Sequence, residues 1–301
     1  MKLLITGATG LIGSHLRSLC KERGYKINYL TTKKEKIENE PDYQGFYWNP
    51  EDAEIDEKCI KGVDKIIHLA GASVAQRWTK KHRKEILSSR IKTANLLRTL
   101  LSEKENQITQ FISASAIGIY PSSMSKLYDE SSLKKADDFL GLVVEEWEKE
   151  ADEFKKLGIG VTKLRIGLVL SSESGFLPEI KKPIKLFAGS YLGGGNQWQS
   201  WIHIEDLANL FLFVAEEELD GVFNAVAPNP VKQKFLIKCI AQNLNKPILL
   251  PPVPGFLLKT ALGEMASVIT ASHLVVSKRL EEEGFVFKFT QVEGAIRDLL
   301  Q

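Results

Sequence analysis

Cysteine is scarce in this chain, with three residues in 301. Cys20, Cys59 and Cys239 form an odd set without metal-ligand spacing, so neither a disulfide framework nor a metal centre is expected, and a reduced, cytoplasmic compartment fits them. An excess of one charge is missing too: 40 Lys and Arg against 38 Asp and Glu leave a net charge of +2. No field of that size draws the chain to nucleic acid or to an anionic membrane. Long hydrophobic runs are also absent. The most apolar late stretch, Gly255 to Val276, carries Lys259, Glu264 and His273, charges that a membrane-spanning helix tolerates poorly. At the start, Met1-Lys2 passes into Leu3-Leu4-Ile5 and reaches Gly7 too soon for the apolar region of a signal peptide. What is present, 44% hydrophobic and 26% charged residues, is the composition of an ordinary globular protein.

Short apolar runs alternate with helical patterns in the first half, which predicts a parallel sheet covered by helices. Strands are expected at Lys2–Thr6, Lys26–Leu30, Gly45–Trp48, Lys65–Leu69, Gln110–Ser113 and Val161–Leu170. Helices are expected from Leu11 to Arg23, from Thr79 to Glu103 and from Val143 to Leu157, with Gly24 and Gly158 closing the first and third. Ser171 to Ser200, rich in glycine and proline, reads as a loop-bearing lid. Trp201–Ile204 returns to a strand, Asp206 is placed to N-cap a helix over Leu207–Ala215, Gly221–Ala227 is a further strand, and the pattern from Pro228 is helical. The fold expected is α/β, a Rossmann-type doubly wound sheet. Residues 1–170, joined by 201–227, form its dinucleotide-binding domain, and 171–200 with 228–301 form a small, mainly helical substrate region.

Thr6-Gly7-Ala8-Thr9-Gly10-Leu11-Ile12-Gly13 follows a strand and opens a helix. In that setting Gly7 permits a tight turn, Gly10 lets the backbone approach a pyrophosphate, and Gly13 allows helix and strand to pack closely. The free N–H groups and dipole of the helix start, at Thr9 to Gly13, then face the phosphates. NAD-selective versions place a carboxylate at the end of the second strand, to hold the ribose 2′-hydroxyl. Here that place reads Tyr29-Leu30-Thr31-Thr32-Lys33-Lys34. A 2′-phosphate would be hydrogen-bonded by Thr31 or Thr32 and neutralised by Lys33 or Lys34, which favours NADP(H) over NAD(H). The alternative is a solvated basic turn.

These stretches resemble the short-chain dehydrogenase/reductase superfamily in its extended, NAD-dependent epimerase/dehydratase form. Ile5–Gly10 and His68-Leu69-Ala70-Gly71 are similar to its cofactor motifs. Tyr47-Trp48-Asn49-Pro50, Arg77-Trp78, Ser89-Arg90, Ser113–Ala116, Ser200–Leu207, Asn224–Pro228 and Gly284–Phe287 resemble one atypical epimerase-like branch. The resemblance implies that Leu69 and Ala70 pass beneath the adenosine side, with Gly71 beside them in the cofactor site and Asn49 near the adenine edge. Glu85, Arg90 and Val169 would reach toward the cofactor, although Arg90 could instead form a surface ion pair with Glu85 or Glu103.

The chemistry departs from that family. Its extended members pair a tyrosine with a lysine four residues later on one helix face, beside a serine from the preceding strand. Ser115 matches the serine, but Leu140 and Val144 stand where the tyrosine and lysine belong. Tyr29 and Lys33 have the spacing in the wrong place. Tyr120 and His203 are candidate substitutes, each with a structural reading beside the catalytic one. Glu145 and Glu148 read as a solvated acidic face, and Trp198 and Trp201 as an apolar slot or a lid seal. Two functions follow: an NADP(H)-dependent oxidoreductase or epimerase-like enzyme acting on a small molecule, or a catalytically degenerate protein that binds NADP(H) as sensor or structural partner.

Overall fold

Successive side chains of a strand point to opposite faces, and these runs are apolar on both. In β1 (Lys2–Thr6), Leu3 and Ile5 enter one core and Leu4 another. The computed structural model describes all residues 1–301. It places β1 within a run of seven parallel strands with β2 (Lys26–Thr31), β3 (Tyr43–Asn49), β4 (Lys65–His68), β5 (Gln110–Ala116), β6 (Gly160–Ile166) and β7 (Gly221–Ala225). The spatial order is β7-β6-β5-β4-β1-β2-β3, with short antiparallel strands at the β3 edge. The strand order therefore reverses between β1 and β4. At such a reversal the loops diverge and leave a crevice beyond the carboxyl ends of the strands, where doubly wound sheets hold ligands.

The helices are α1 (Leu11–Glu22), α2 (Lys80–Glu103), α3 (Phe139–Asp152), α4 (Phe176–Lys185), α5 (Ile204–Glu216), α6 (Gln233–Asn243), α7 (Gly255–Leu262), α8 (Ala266–Thr270), α9 (Lys278–Glu282) and α10 (Val292–Leu300). Leu16 of α1 and Leu207, Leu210 and Phe211 of α5 cover the face carrying Leu3 and Ile5. Ala94, Leu97 and Leu101 of α2 and Ala151 of α3 cover the other, against Leu4, Ile66 and Phe111. A separate core joins Leu177 and Ile184 of α4 to Leu236 and Ile240 of α6 and Ile296 of α10. No helix is long and apolar enough to cross a membrane.

Four local expectations are revised. The third helix starts at Phe139, because Asp138 accepts a hydrogen bond from the Gly141 N–H at 2.9 Å and so caps the chain four residues early. The run Val161–Leu170 is two strands. A Cβ on Gly167 would lie 2.2 Å from the Ser200 carbonyl oxygen, so bare backbone is needed where the chain leaves the sheet. Leu168–Leu170 then pairs in parallel with Trp201–His203. Asp206 does not cap α5. That role falls to His203, whose Nδ1 accepts from the Glu205 N–H at 3.1 Å. Asp206 is buried in the first turn, where its carboxylate accepts the N–H groups of Lys288 and Phe289 at 2.8 and 3.0 Å. Finally, the segment read as a lid contains α4, whose apolar side chains enter a core with α6, α10 and the strand Leu168–Leu170.

Candidate functional site

The glycine turn adopts the geometry its sequence requires. Gly7 has φ +69°, and a Cβ there would press on the Leu69 carbonyl carbon at 3.1 Å. A Cβ on Gly13 would lie 2.4 Å from the Gly7 oxygen. Gly10 opens α1 without a side-chain cap, and no acidic residue stands in the first turn. The N–H groups of Leu11, Ile12 and Gly13 find no acceptor in the protein, so the positive end of the helix is open to an anion. Because the atoms around Gly13 are backbone, Gly13→Ala should cost about 1–3 kcal/mol and weaken dinucleotide binding. Thermal melts and NADPH titration of the variant measure both effects.

Behind the turn, hydrogen bonds fix the loop after β4. The Thr6 hydroxyl oxygen accepts the N–H groups of Leu69 and Ala70, each at 3.1 Å, which leaves its single proton for His68 Nδ1 at 2.9 Å. His68 Nε2–H then donates to Thr93 Oγ1 at 3.2 Å, and the Thr93 hydroxyl donates to the Ser89 carbonyl at 2.7 Å. Burial pushes the His68 imidazole down to about 3, so it stays neutral and holds that tautomer. Gly71 follows directly. A Cβ there would meet the Arg90 guanidinium at 3.2 Å, so α2 and this loop close on one another through Arg90.

At the β2 end, Thr31 Oγ1 accepts from the Lys33 N–H at 3.2 Å, while Thr32 and Lys33 are exposed. No acid ends that strand, and neither Lys33 nor Lys34 enters a salt bridge. Tyr29, spaced like a catalytic tyrosine, is buried in the sheet, donating to the Lys36 carbonyl and accepting from the Glu38 N–H, both at 2.7 Å. Asn49 ends β3, one strand further out, with its amide on Asp52. Glu85 is exposed on α2 against His82 at 3.2 Å, and Val169 is half-buried beside Ile202.

The crevice widens into an apolar cavity of about 240 Å³, in which 12 of the 18 lining residues are hydrophobic. Leu140 and Val144 of α3, which stand where the resemblance expects a tyrosine and a lysine, form part of its wall, so hydrocarbon faces the cavity there. Ala116–Gly118, Ile166–Leu168, Trp147 and Trp198 add to it. Trp201, by contrast, is wholly buried, with its indole N–H donating to the Asn229 carbonyl at 2.9 Å. Arg90 is the cavity's one permanent cation. It is 8% exposed and meets no carboxylate, so the ion pair with Glu85 or Glu103 is not made. Its Nη1 donates to the Ile86 and Ala72 carbonyls at 2.8 and 3.2 Å, and its guanidinium lies 4.6 Å from the Trp147 ring centroid. Nε has no partner at all. Burial brings the group down to about 10, still charged at neutral pH.

Ser115 and Tyr120 meet in a buried polar network outside the cavity lining. The Ser115 hydroxyl donates to Glu148 Oε1 at 2.7 Å, and Glu148 receives a two-pronged contact from Arg165 at 2.7 and 2.9 Å. Arg165 also donates to the Tyr120 hydroxyl, which donates to Asn224 Oδ1, both at 2.8 Å. Burial alone would raise the Glu148 carboxyl. The hydrogen bonds and charge of Arg165, with the Ser115 hydroxyl, outweigh it and hold the group below the usual carboxylate range. Glu148 is therefore no part of a solvated face, unlike Glu145, which meets Lys135 at 2.8 Å. His203 stands apart from this network, stacked on Phe289 at 3.9 Å with Nε2 3.3 Å from Asp298 of α10. The glycine turn, Leu69–Gly71 and Arg90 thus come together, whereas Ser115 and Tyr120 join a different cluster. Sequence reasoning missed Arg165, Trp147 and the cavity-lining His273, none of which lies in a motif.

Comparison with known proteins agrees with this geometry. Residues 3–138 match the NAD dependent epimerase/dehydratase family, and residues 253–299 match a domain of unknown function. An epimerase family protein from Staphylococcus epidermidis is 35% identical over 301 residues, spanning 100% of this chain and 99% of its own. The chain belongs to the NAD-dependent epimerase/dehydratase family. An epimerase family protein from Bacillus subtilis is also 35% identical over 301 residues, with 98% of its length covered. A human epimerase family protein solved with NADPH superposes on this family member with a TM-score of 0.86 at 25% identity, across 100% of this chain and 99% of that one. For a nucleoside-diphosphate sugar epimerase from Corynebacterium glutamicum the values are 0.79 and 29%, with 58% of that chain covered. The open helix terminus, the turn that a Cβ would fill and the unpartnered Arg90 Nε fit a nicotinamide dinucleotide in this member of the family.

Proposed function

We propose that the chain is an NADP(H)-binding oxidoreductase of the epimerase/dehydratase type, acting on a small molecule with a non-standard catalytic site. The observation that carries this reading is the continuity of the site, from the open end of α1 past Leu69–Gly71 to Arg90 in the apolar cavity. In it, Gly7, Thr9, Gly10, Leu11, Ile12 and Gly13 hold the pyrophosphate by backbone N–H groups. Thr31, Thr32 and Lys33 take the 2′-phosphate, Asn49 stands at the adenine edge, and Leu69, Ala70 and Gly71 underlie the adenosine. Arg90, Glu85 and Val169 reach toward the cofactor, with Arg90 as the one permanent cation of the cavity. A bound nicotinamide supplies or accepts a hydride, and the apolar wall excludes water from that transfer. Residues 171–200 and 228–301 form the substrate side. Ser115 and Tyr120 act by holding the structure around the cleft, since their hydroxyls are engaged elsewhere, and His203 does so by capping α5 through Nδ1.

The NADPH of the human relative, together with free lysines and no acid at the β2 end, supports the phosphorylated cofactor. Three free, buried cysteines suit a reducing cytoplasm. Titration of the purified protein should show NADPH bound about tenfold or more tightly than NADH, as a charge-assisted phosphate contact implies. Lys33→Ala should erase most of that preference. Equal or tighter binding of NADH by the wild type would refute the assignment.

A second reading, a catalytically degenerate NADP(H) sensor or structural partner, is favoured by one observation: Leu140 and Val144 put two proton-inert side chains in the cavity wall. Tight NADPH binding without turnover of any carbonyl or sugar would select it.

A further inference from the structure

We infer that His273 is the proton-exchanging catalytic residue of this cleft and that the substrate is a small, largely apolar carbonyl compound or the corresponding alcohol. The inference rests on the NADP(H) reading above and deepens it. Of the residues lining the cavity, only Arg90 and His273 ionise. Arg90 remains a cation at neutral pH and exchanges no proton there. That leaves one imidazole.

His273 belongs to the segment between α8 and the short strand Leu274–Val275 that pairs with Leu127–Tyr128. It is fixed at three points. Its N–H donates to the Trp198 carbonyl at 3.2 Å, its carbonyl accepts from the Ser200 hydroxyl at 2.8 Å, and Nε2 lies 3.0 Å from the Tyr120 carbonyl oxygen. A carbonyl only accepts, so Nε2 carries a proton in both charge states. All exchange must then occur at Nδ1, which has no protein partner and is not sealed from solvent. Burial lowers the imidazole below its ordinary range, against the opposing pull of the Tyr120 carbonyl and of Asp138, which makes the cation a willing donor.

The step balances. Nδ1 of the imidazolium gives its proton to the carbonyl oxygen as the C=O π bond breaks and the carbon takes the hydride that a reduced nicotinamide yields. The alcohol leaves, the dinucleotide is oxidised, and the neutral imidazole regains a proton from solvent. The reverse direction uses neutral His273 as base and an oxidised nicotinamide as the two-electron acceptor. The substrate class follows from the wall. With 12 of 18 lining residues hydrophobic, including Leu140, Val144 and Trp198, hydroxyl-rich groups would lose water without finding partners. His273 also gives the region matching a domain of unknown function, residues 253–299, a chemical role.

The experiment combines two readouts on the full chain, with benzaldehyde and cyclohexanone as probes. In ¹⁵N-histidine-labelled protein saturated with NADP⁺, adding either probe should move the Nδ1 resonance of His273, assigned by its loss in His273→Gln, and leave that of His82 in place. Wild-type protein should oxidise NADPH with at least one probe. His273→Gln, which keeps an N–H for the Tyr120 carbonyl, should be about 100-fold slower with NADPH affinity within about twofold. An unmoved Nδ1 signal, no turnover by the wild type, or an unchanged rate in the variant, each with NADPH bound, overturns the proposal and leaves the cofactor reading standing. Failure of NADPH to bind removes both.

Discussion

Glu148→Leu should lower stability by about 3–5 kcal/mol, the usual result of stripping one partner from a buried ion pair. Arg165 would keep its charge with no carboxylate to meet it, and the Ser115 hydroxyl would lose its acceptor. Both residues are under a tenth exposed, so water cannot replace what is lost. Urea denaturation followed by circular dichroism measures the change. The double variant Glu148→Leu, Arg165→Met should recover much of it, because removing both charges also removes their desolvation cost. A single variant within about 0.5 kcal/mol of wild type would mean that the pair carries no weight. The pair also predicts a pH dependence. The folded carboxyl lies below its unfolded value of about 4.3, so its contribution is complete above that pH. It is lost as pH falls from there through the depressed folded value. Wild-type stability should therefore drop more steeply in acid than that of the double variant.

Arg90→Met should move stability and binding in opposite directions. A buried guanidinium without an acid is costly: its fall from 12.5 to about 10 corresponds to about 3 kcal/mol against the charged form. The Trp147 contact and two carbonyl hydrogen bonds offset part of this. Methionine fills similar space and carries no charge, so the ligand-free variant should be more stable by about 1–2 kcal/mol. NADPH affinity should fall about tenfold or more, since the cavity then loses its one permanent cation. Such opposition is expected where a site is built for its ligand and not for its own stability. A variant that loses stability while binding NADPH normally would make Arg90 a structural residue.

Sequence and structure divide along the range of the interactions involved. The glycine turn was fully legible because Gly7, Gly10 and Gly13 act within one strand–turn–helix, where spacing alone fixes geometry. The parallel sheet was legible for the same reason, since Leu3-Leu4-Ile5 and Ile66-Ile67 are apolar on both faces of a single strand. Asp206, α4 and the break at Gly167 were not, because each answers to a distant segment: the N–H groups of Lys288 and Phe289, the core of α6 and α10, and the Ser200 carbonyl.

The sequence by itself determined a Rossmann-type fold and a dinucleotide turn. Only the tertiary structure decided that Arg90 is buried without a counter-ion, that Glu148 pairs with Arg165, and that His273 reaches a cavity lined by Leu140 and Val144. The physical reason is that the burial of a charge and the reach of a side chain are set by which segments the fold packs together, and His273 lies more than a hundred residues from the helix whose wall it faces.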